Sequence, residues 1–192
     1  QAACEAALKA GADCADVSVR EAASRSVDLE IGEVKNSEVS ISSGLSVRAF
    51  SRGACGWASA SRLDLADARG AGEDAAALAR AADPDPDFID LPTGGAEAEI
   101  AGLYDEAVSG ISLHDLVEFL APEIDAIRAK APEAIISGGA DAGYGAYVYV
   151  SSKGHVVTNR GSNVSCGIAA AVRRGDDVGM YHDWEFARTL DR

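Results

Sequence analysis

Three histidines and the acids near one of them are the residues whose types could bind a metal ion. His182, Asp183 and Glu185 lie together in the run YHDWE, whereas His114 and His155 are distant from it in the sequence. Zinc sites place His, Cys or carboxylate ligands at short regular spacings, and neither HExxH nor HExxxH occurs in the chain. If YHDWE is a strand, His182 and Asp183 point to opposite faces. We therefore interpret the run as a solvated strand end and assign no metal ligand.

The chain also lacks the patterns of a catalytic nucleophile and of a phosphate-binding loop. It contains no GxSxG sequence, and no cysteine has a neighbouring histidine. The glycine-rich run at 137–147 leads into the strand-like YVYV, whereas a phosphate loop leads into a helix N-terminus, so we predict a flexible hairpin there. Trp57, Tyr181 and Trp184 could form a stacking or peptide-binding surface, but core packing beneath the helices is the commoner arrangement. No catalytic or cofactor-binding residue is assigned.

Composition indicates a globular protein that does not bind polyanions. The chain has 192 residues, of which 47% are hydrophobic, and 17 Lys and Arg stand against 31 Asp and Glu, for a net charge of −14. Such a surface repels nucleic-acid phosphates and anionic lipid. We therefore predict no nucleic-acid partner and no membrane partner.

Cysteine usage favours the cytoplasm. The four cysteines form no CxxC pair, and the sequence shows no signal peptide and no apolar run of the roughly 20 residues that span a membrane. We expect the thiols to be reduced and mostly buried. The chain begins with Gln1, inside a helical pattern, and stops after a strand-like stretch, so a longer protein is expected.

The elements that would position any site occur twice. The stretch 32–50, GEVKNSEVSISSGLSVRAF, is echoed by 154–172, GHVVTNRGSNVSCGIAAAV, with glycines and alternating strands in the same order. Period-two alternation predicts an antiparallel meander in each copy, divided by glycine or Asn-Ser turns. The predicted strands are 16–21, 26–31, 39–43, 45–50, 54–59, 134–137, 144–151, 155–159, 165–173 and 178–186.

Helical patterns precede or follow these meanders. We predict helices over 2–9, over 61–82 with Asp64 as its cap, and after Ser112, where Pro122 is expected to kink or divide the helix. The predicted class is α+β, with two repeated helix-plus-antiparallel-meander units forming one sheet covered by helices. Residues 1–82 would be the first repeat with its following helix, 83–110 a connecting segment, and 111–192 the second repeat.

The order of several loose motifs resembles the amino-terminal half of the TldD/PmbA proteins. The first half carries AGADCADVSVRE, GEVKNSE, SSGLSVRAFSRGACGWAS and ARAADPDPDF, and the second carries ISLHDLVEF, GYGAYVYVSSKGHV and GDDVGMYHDWEFAR. The PDPDF connection and the GDDVGMYHDWEFAR ending resemble the PmbA type more closely. This family is described as metallopeptidase-related and, under an older name, as modulators of DNA gyrase.

The resemblance implies a second, β-rich domain that would follow this one. In TldD-type members that domain holds an HExxxH zinc motif, and PmbA-type members lack it and are thought to act as partner subunits. The implied function is proteolysis of unfolded peptides, with this chain as a noncatalytic part of a zinc metallopeptidase complex. Zinc would then belong to the full protein or to a TldD-like partner, and assembly with that partner or with itself is expected. An available sheet edge could receive an extended peptide by strand addition.

Two other interpretations stay open. The chain could belong to a TldD-type zinc peptidase whose active site lies beyond it, or it could be a stand-alone peptide-binding or scaffold module. Presence or absence of an HExxxH motif in a longer reading frame would separate the peptidase from the accessory subunit. The sequence does not determine the peptides bound, the strand order or the free edge.

Overall fold

The computed structural model describes residues 1–94 and 100–190. Within them, six strands form one antiparallel sheet in the order β3-β2-β1-β4-β5-β6. The strands are β1 Cys14–Glu30, β2 Glu33–Ser51, β3 Ala54–Ala60, β4 Ile135–Ser151, β5 Val156–Arg174 and β6 Asp177–Ala187. The helices of the described residues are α1 Ala2–Lys9, α2 Leu65–Ala81, α3 Glu106–Gly110 and α4 Leu113–Lys130. The predicted α+β class, an antiparallel sheet with covering helices, is confirmed.

The strands are fewer and longer than the sequence suggested. The predicted strand 16–21 and all but the last residue of the predicted strand 26–31 are part of β1, and the predicted Asn-Ser turn lies inside β2. Chain reversal occurs instead at Ile31-Gly32 and Arg52-Gly53, where both residues of each pair have positive φ, as a type I′ hairpin turn requires. Polar residues between two apolar runs predict turns, but an exposed strand carries polar residues without bending.

The glycine-rich run 137–147 is not a hairpin, contrary to the prediction, because it lies inside β4. Glycine is needed there for close backbone packing. A Cβ at Gly138 would lie 2.1 Å from the carbonyl oxygen of Gly167, and one at Gly139 would lie 2.4 Å from that of Val27. Neighbouring strands therefore approach β4 at positions where any side chain would clash.

The described residues group into two compact units. The first comprises Gln1–Glu21, Ser42–Glu99 and Ala146–Asn159, and the second comprises Ala22–Ile41, Ile100–Gly145 and Arg160–Arg192. Each unit takes residues from both predicted repeats, and the repeat boundaries themselves stay a prediction. Residues 95–99 of the predicted connecting segment, and 191–192 of the second repeat, lie outside the described residues.

In the first unit, α1 and α2 cover one face of the sheet with an alanine-rich core. Val17 and Val47 are buried there among small side chains of the two helices. Small residues bring the backbones together: a Cβ at Gly72 of α2 would lie 2.2 Å from the carbonyl oxygen of Ala3. Asp64 caps α2 as predicted, because its carboxylate accepts the Asp67 amide at 2.8 Å.

In the second unit, α4 supplies the larger core side chains. Leu116, Leu120 and Ile124 pack against apolar side chains of β1 and β4. The predicted Ser112 cap is present as a reciprocal capping box with Asp115.

Pro122 does not divide α4, contrary to one of the expected outcomes, since the helix continues to Lys130. Pro122 has no amide to donate to the Glu118 carbonyl, and both residues lie on the exposed side of α4. No helix among residues 1–94 and 100–190 has both the length and the apolar character needed to cross a lipid bilayer.

Candidate peptide-binding edge

Strand β6 forms one edge of the sheet and is exposed along its whole length. Its one neighbour in the strand order is β5, with which Asp177–Ala187 pairs antiparallel from Arg174 back to Val164. All eleven of its residues are exposed. At the other end of the sheet, β3 packs closely under α2, where a Cβ at Gly56 would lie 2.1 Å from the carbonyl oxygen of Ala75. Within the described residues the outer edge of β6 is open to a further strand, and so is the part of β2 before Leu45, where its pairing with β3 begins.

The register separates the side chains of β6 into two sets. Asp183 lies opposite Ile168, which packs against the core beneath α4, so Asp183 is on the helix side of the sheet. Trp184 lies opposite Gly167 and is on the other side. Because side chains alternate, the helix side carries Tyr181, Asp183 and Glu185, and the other side carries Met180, His182, Trp184 and Phe186.

The aromatic residues are exposed, so the expectation that they pack in the core is wrong. The exposed fractions are 66% for Trp57, 73% for Tyr181 and 62% for Trp184. Trp184 lies over Gly167, where a Cβ would meet its Cδ1 at 2.8 Å, and its ring stacks on Phe186 at 6.0 Å between centroids. Strand alternation was visible in the sequence, but the position of β6 at the sheet edge was not.

A groove of about 660 Å³ lies between α4 and the helix side of β5 and β6. Most of its apolar lining comes from α4 and β5, and Tyr181 and Trp184 of β6 also line it. The residues of α4 and β5 that provide it are Phe119, Pro122, Ile127, Cys166, Ile168 and Ala170. The groove therefore runs directly beside the open strand, and a strand added to β6 would direct every second side chain towards it.

Carboxylates surround this groove. Glu118 and Glu123 of α4, together with Asp183 and Glu185 of β6, line it, and no lysine, arginine or histidine does. None of these four carboxylates takes part in an ion pair within the described part of the chain. Burial and then the charge of Glu123 raise the pKa of the Cys166 thiol, which is consistent with a negative potential in the groove.

One backbone donor of β6 is occupied by its own strand. The Trp184 amide donates to the Asp183 carboxylate at 2.9 Å. Because this amide bonds to a side chain rather than to β5, it belongs to the outward-facing row of β6, and alternation places the amides of Met180 and His182 in the same row. A strand that adds at this edge could accept hydrogen bonds from the outward amides of Met180 and His182. To accept one from the Trp184 amide, it would have to displace the Asp183 carboxylate.

A second group of polar residues lies in the first unit and is structural in character. Asp16 is 2% exposed, and its carboxylate receives Arg48 Nε at 3.0 Å and Nη2 at 2.6 Å. Tyr149 donates its hydroxyl to Asp16 at 3.1 Å. Burial, followed by the charge of Asp16, raises the pKa of Tyr149 to about 12. A phenol that holds its proton so firmly is a poor general base at neutral pH, so this group satisfies a buried acid.

The histidines do not converge on a metal site. His114 is exposed on α4, and His155 lies edge-on to Tyr149 with 5.8 Å between ring centroids. His182 and Asp183 lie on opposite faces of β6, as their adjacent positions in a strand predict. Among residues 1–94 and 100–190, no group of three or more His, Cys, Asp and Glu side chains could hold a metal ion. The described residues therefore do not fit a zinc site.

Comparison with known proteins agrees with this architecture. Residues 15–83 match the PmbA/TldA metallopeptidase domain 1. The structure is similar to TldE from Thermococcus kodakarensis, with a TM-score of 0.90 and 20% identity over 96% of this chain and 42% of that chain. No curated protein sequence matches the chain.

Two further structures are putative modulators of DNA gyrase. The one from Bacteroides thetaiotaomicron has a TM-score of 0.83 and 17% identity over 98% of this chain and 44% of its own. The one from Thermotoga maritima has a TM-score of 0.82 and 15% identity over 98% of this chain and 42% of its own. The chain thus shares their fold and spans less than half of their length.

Proposed function

We propose that this chain is the noncatalytic, amino-terminal part of a PmbA-like subunit in a zinc metallopeptidase complex, because residues 15–83 match the PmbA/TldA metallopeptidase domain 1. Its role there is to bind unfolded peptides in extended form. The observation that carries the proposal is the open edge of β6, which is exposed at every residue. Strand addition makes main-chain hydrogen bonds, so it accepts many sequences, as a peptidase for unfolded chains requires.

The noncatalytic role is supported by the arrangement of polar residues. Asp16, the buried carboxylate of the first unit, is engaged by Arg48 and Tyr149, and the three histidines lie apart from one another. The metal chemistry of the complex would then be supplied by a TldD-like partner. A second candidate, a TldD-type peptidase with its zinc site outside residues 1–192, is compatible with the same fold. The third, a stand-alone binding module, needs only the β6 edge.

Zinc content separates these candidates. The protein is purified at full length, alone and after co-expression with a TldD-like partner, and zinc and peptidase activity are measured in both samples. We expect no zinc alone, and zinc with activity in the complex. About one zinc per chain in the protein alone would instead indicate the TldD-type peptidase. Absence of zinc from both samples would leave the stand-alone module and end the proteolytic interpretation.

Strand addition is tested by removing one outward backbone donor. Met180→Pro deletes an amide of the outward row, and proline is tolerated at edge positions whose N–H faces solvent. Met180→Ala is the matched control, because it removes the side chain and keeps the donor. Binding of an unfolded peptide is measured by fluorescence anisotropy, and its location by amide NMR shifts over 177–187.

We expect the proline variant to bind several-fold more weakly than the alanine variant, since one or two main-chain hydrogen bonds are lost. Equal affinities for Met180→Pro and Met180→Ala would rule out strand addition at β6. Amide NMR shifts confined to residues 33–43 of β2 would also rule out strand addition at β6. That exposed segment of β2 precedes its pairing with β3, which begins at Leu45, and is the competing edge.

A further inference from the structure

We propose that the β6 edge and its groove select extended segments in which basic residues alternate with apolar ones. This inference rests on the proposed strand addition and names the class of peptide that the edge takes. It follows from the different chemistry of the two sides of β6. A strand paired with β6 places successive side chains alternately on those two sides, within about 5 Å of the cross-strand neighbour.

The helix side is suited to lysine and arginine. Their side chains combine an aliphatic stem with a charged end, and they are stabilised where the stem contacts apolar surface and the end reaches a charge in water. The groove offers both parts: Phe119, Ile127 and Ile168 provide apolar surface, and carboxylates surround it. Neutral apolar side chains would cover those carboxylates without pairing them, and acidic side chains would be repelled.

The carboxylates lie on both walls of the groove. Glu118 and Glu123 belong to α4, and Asp183 and Glu185 belong to β6. Asp183 and Glu185 are two positions apart in a strand, so their spacing matches the period of side chains in an added strand. Each groove-facing residue of the peptide would lie next to one carboxylate of β6. It would also be attracted by the negative charges of Glu118 and Glu123 on α4.

The opposite side of β6 is suited to apolar residues. Met180 is 78% exposed and Trp184 is 62% exposed, and the Trp184 ring stacks on Phe186. An added strand would cover part of this surface, which gains roughly 25 cal/mol for each Å² of apolar area removed from water. The preferred residues on this side are therefore large and apolar, at every second position of the peptide.

Three peptides of equal length test the alternation. One alternates lysine with valine, one alternates glutamate with valine, and one alternates threonine with valine, and each carries the same fluorophore. We expect the lysine peptide to bind more tightly than the threonine peptide by about tenfold at low salt, because each exposed charge pair contributes modestly. The glutamate peptide should bind most weakly. The advantage of lysine should shrink as salt rises, since exposed charges are screened.

Variants that remove carboxylates test whether the groove causes the preference for the lysine peptide. Asp183→Asn with Glu185→Gln removes two groove carboxylates, and the asparagine oxygen can still accept the Trp184 amide. Glu73→Gln with Asp74→Asn, on the exposed surface of α2, removes the same charge elsewhere. We expect the first pair to reduce the preference for lysine over threonine about threefold to tenfold, and the second pair to leave it unchanged.

The outcomes distinguish this inference from the function on which it rests. If all three peptides bind equally and shift the amides of β6, strand addition stands and the selectivity is wrong. If none of the peptides binds, the proposed function fails together with the inference. If both variant pairs reduce the preference equally, the attraction is due to the net charge of the chain, and the groove is not the selective element.

Discussion

At the residue scale, the pair Asp16 and Arg48 shows how the sheet tolerates a buried charge. Asp16 lies at the start of β1 with 2% of its surface exposed, and Arg48 meets it with two hydrogen bonds from β2. Tyr149 completes the set from β4. A buried carboxylate without such partners would cost several kcal/mol, so the three strands are tied together by the need to satisfy one acid.

The Tyr149 hydroxyl should ionise at a higher pH than an ordinary tyrosine. Its pKa is raised from 10.0 to about 12 by burial and then by Asp16, so the folded state holds the proton more tightly than the unfolded chain. The stability that this gives is complete below about pH 10 and is lost as pH rises towards 12. Tyrosinate absorbance in an alkaline titration should show a late component in the native protein. Tyr149→Phe should remove it, and Tyr181→Phe, which alters an exposed ring, should keep it.

That assignment would be contradicted by a late component that persists in Tyr149→Phe. Nothing in the sequence around YVYV indicated that Tyr149 lies beside Asp16, because the two residues are 133 positions apart. Pairings of this kind depend on which strands become neighbours. The cysteines illustrate the same limit: Cys4 and Cys14 are buried as expected, whereas Cys55 is exposed on β3.

At the element scale, the helices were the most predictable part of the chain. Asp64 and Ser112 were identified as caps, and both accept the expected backbone amides in the structure. Capping is a local interaction between residues three apart, so sequence alone reveals it. α3 was not predicted, since its five residues are too few to show a helical period. Strand limits depend on distant partners, which explains why β1 and β2 were each divided.

Two glycines of α2 should respond to alanine in opposite directions. Gly72→Ala places a Cβ 2.2 Å from the carbonyl oxygen of Ala3 and should destabilise the fold by about 1–3 kcal/mol or more. A Cβ at Gly70 would meet no atom of another element within 4 Å, so Gly70→Ala should stabilise by about 0.5–1 kcal/mol through helix propensity. Urea unfolding measures both. Equal and favourable effects would show that α1 and α2 are not closely packed.

The cap of α4 should contribute a measurable part of the stability. The Ser112 hydroxyl accepts the Asp115 amide at 3.2 Å, and the Asp115 carboxylate accepts the Ser112 amide at 2.8 Å. Ser112→Ala should lower the free energy of unfolding by about 1 kcal/mol, whereas Ser112→Asn should retain most of it, because asparagine is also a good cap. Thermal unfolding followed by circular dichroism checks the difference. An alanine variant as stable as the asparagine variant would refute the role of the cap.

At the scale of the whole molecule, the net charge of −14 is expected to disfavour polyanionic partners. The site itself could be predicted only in part. The sequence predicts an available sheet edge, but it does not indicate which strand forms that edge, and strand addition stays a prediction. The groove was not foreseen either, because it combines α4 with β5 and β6, which are separated in the sequence. The acidic residues of YHDWE are the available signal, and they are exposed as the predicted solvated strand end requires.

The charge predicts that the chain does not bind DNA. At physiological ionic strength, its acidic surface should repel the phosphate backbone, so a linear duplex should keep its mobility in a gel at every protein concentration tested. A basic protein of similar size serves as the positive control. A protein-dependent decrease in the mobility of the duplex, which becomes smaller as salt is added, would contradict the prediction and indicate nucleic-acid binding.

The same edge has a consequence for how copies of the chain behave towards one another. Two exposed β6 strands could in principle pair into a continuous sheet and start an aggregate, which is the hazard of any open edge. Such pairing would bring Asp183 and Glu185 of one copy next to acids of the other, and like charges on paired strands are destabilising. We therefore expect these carboxylates to disfavour pairing between copies and to favour a strand of opposite charge.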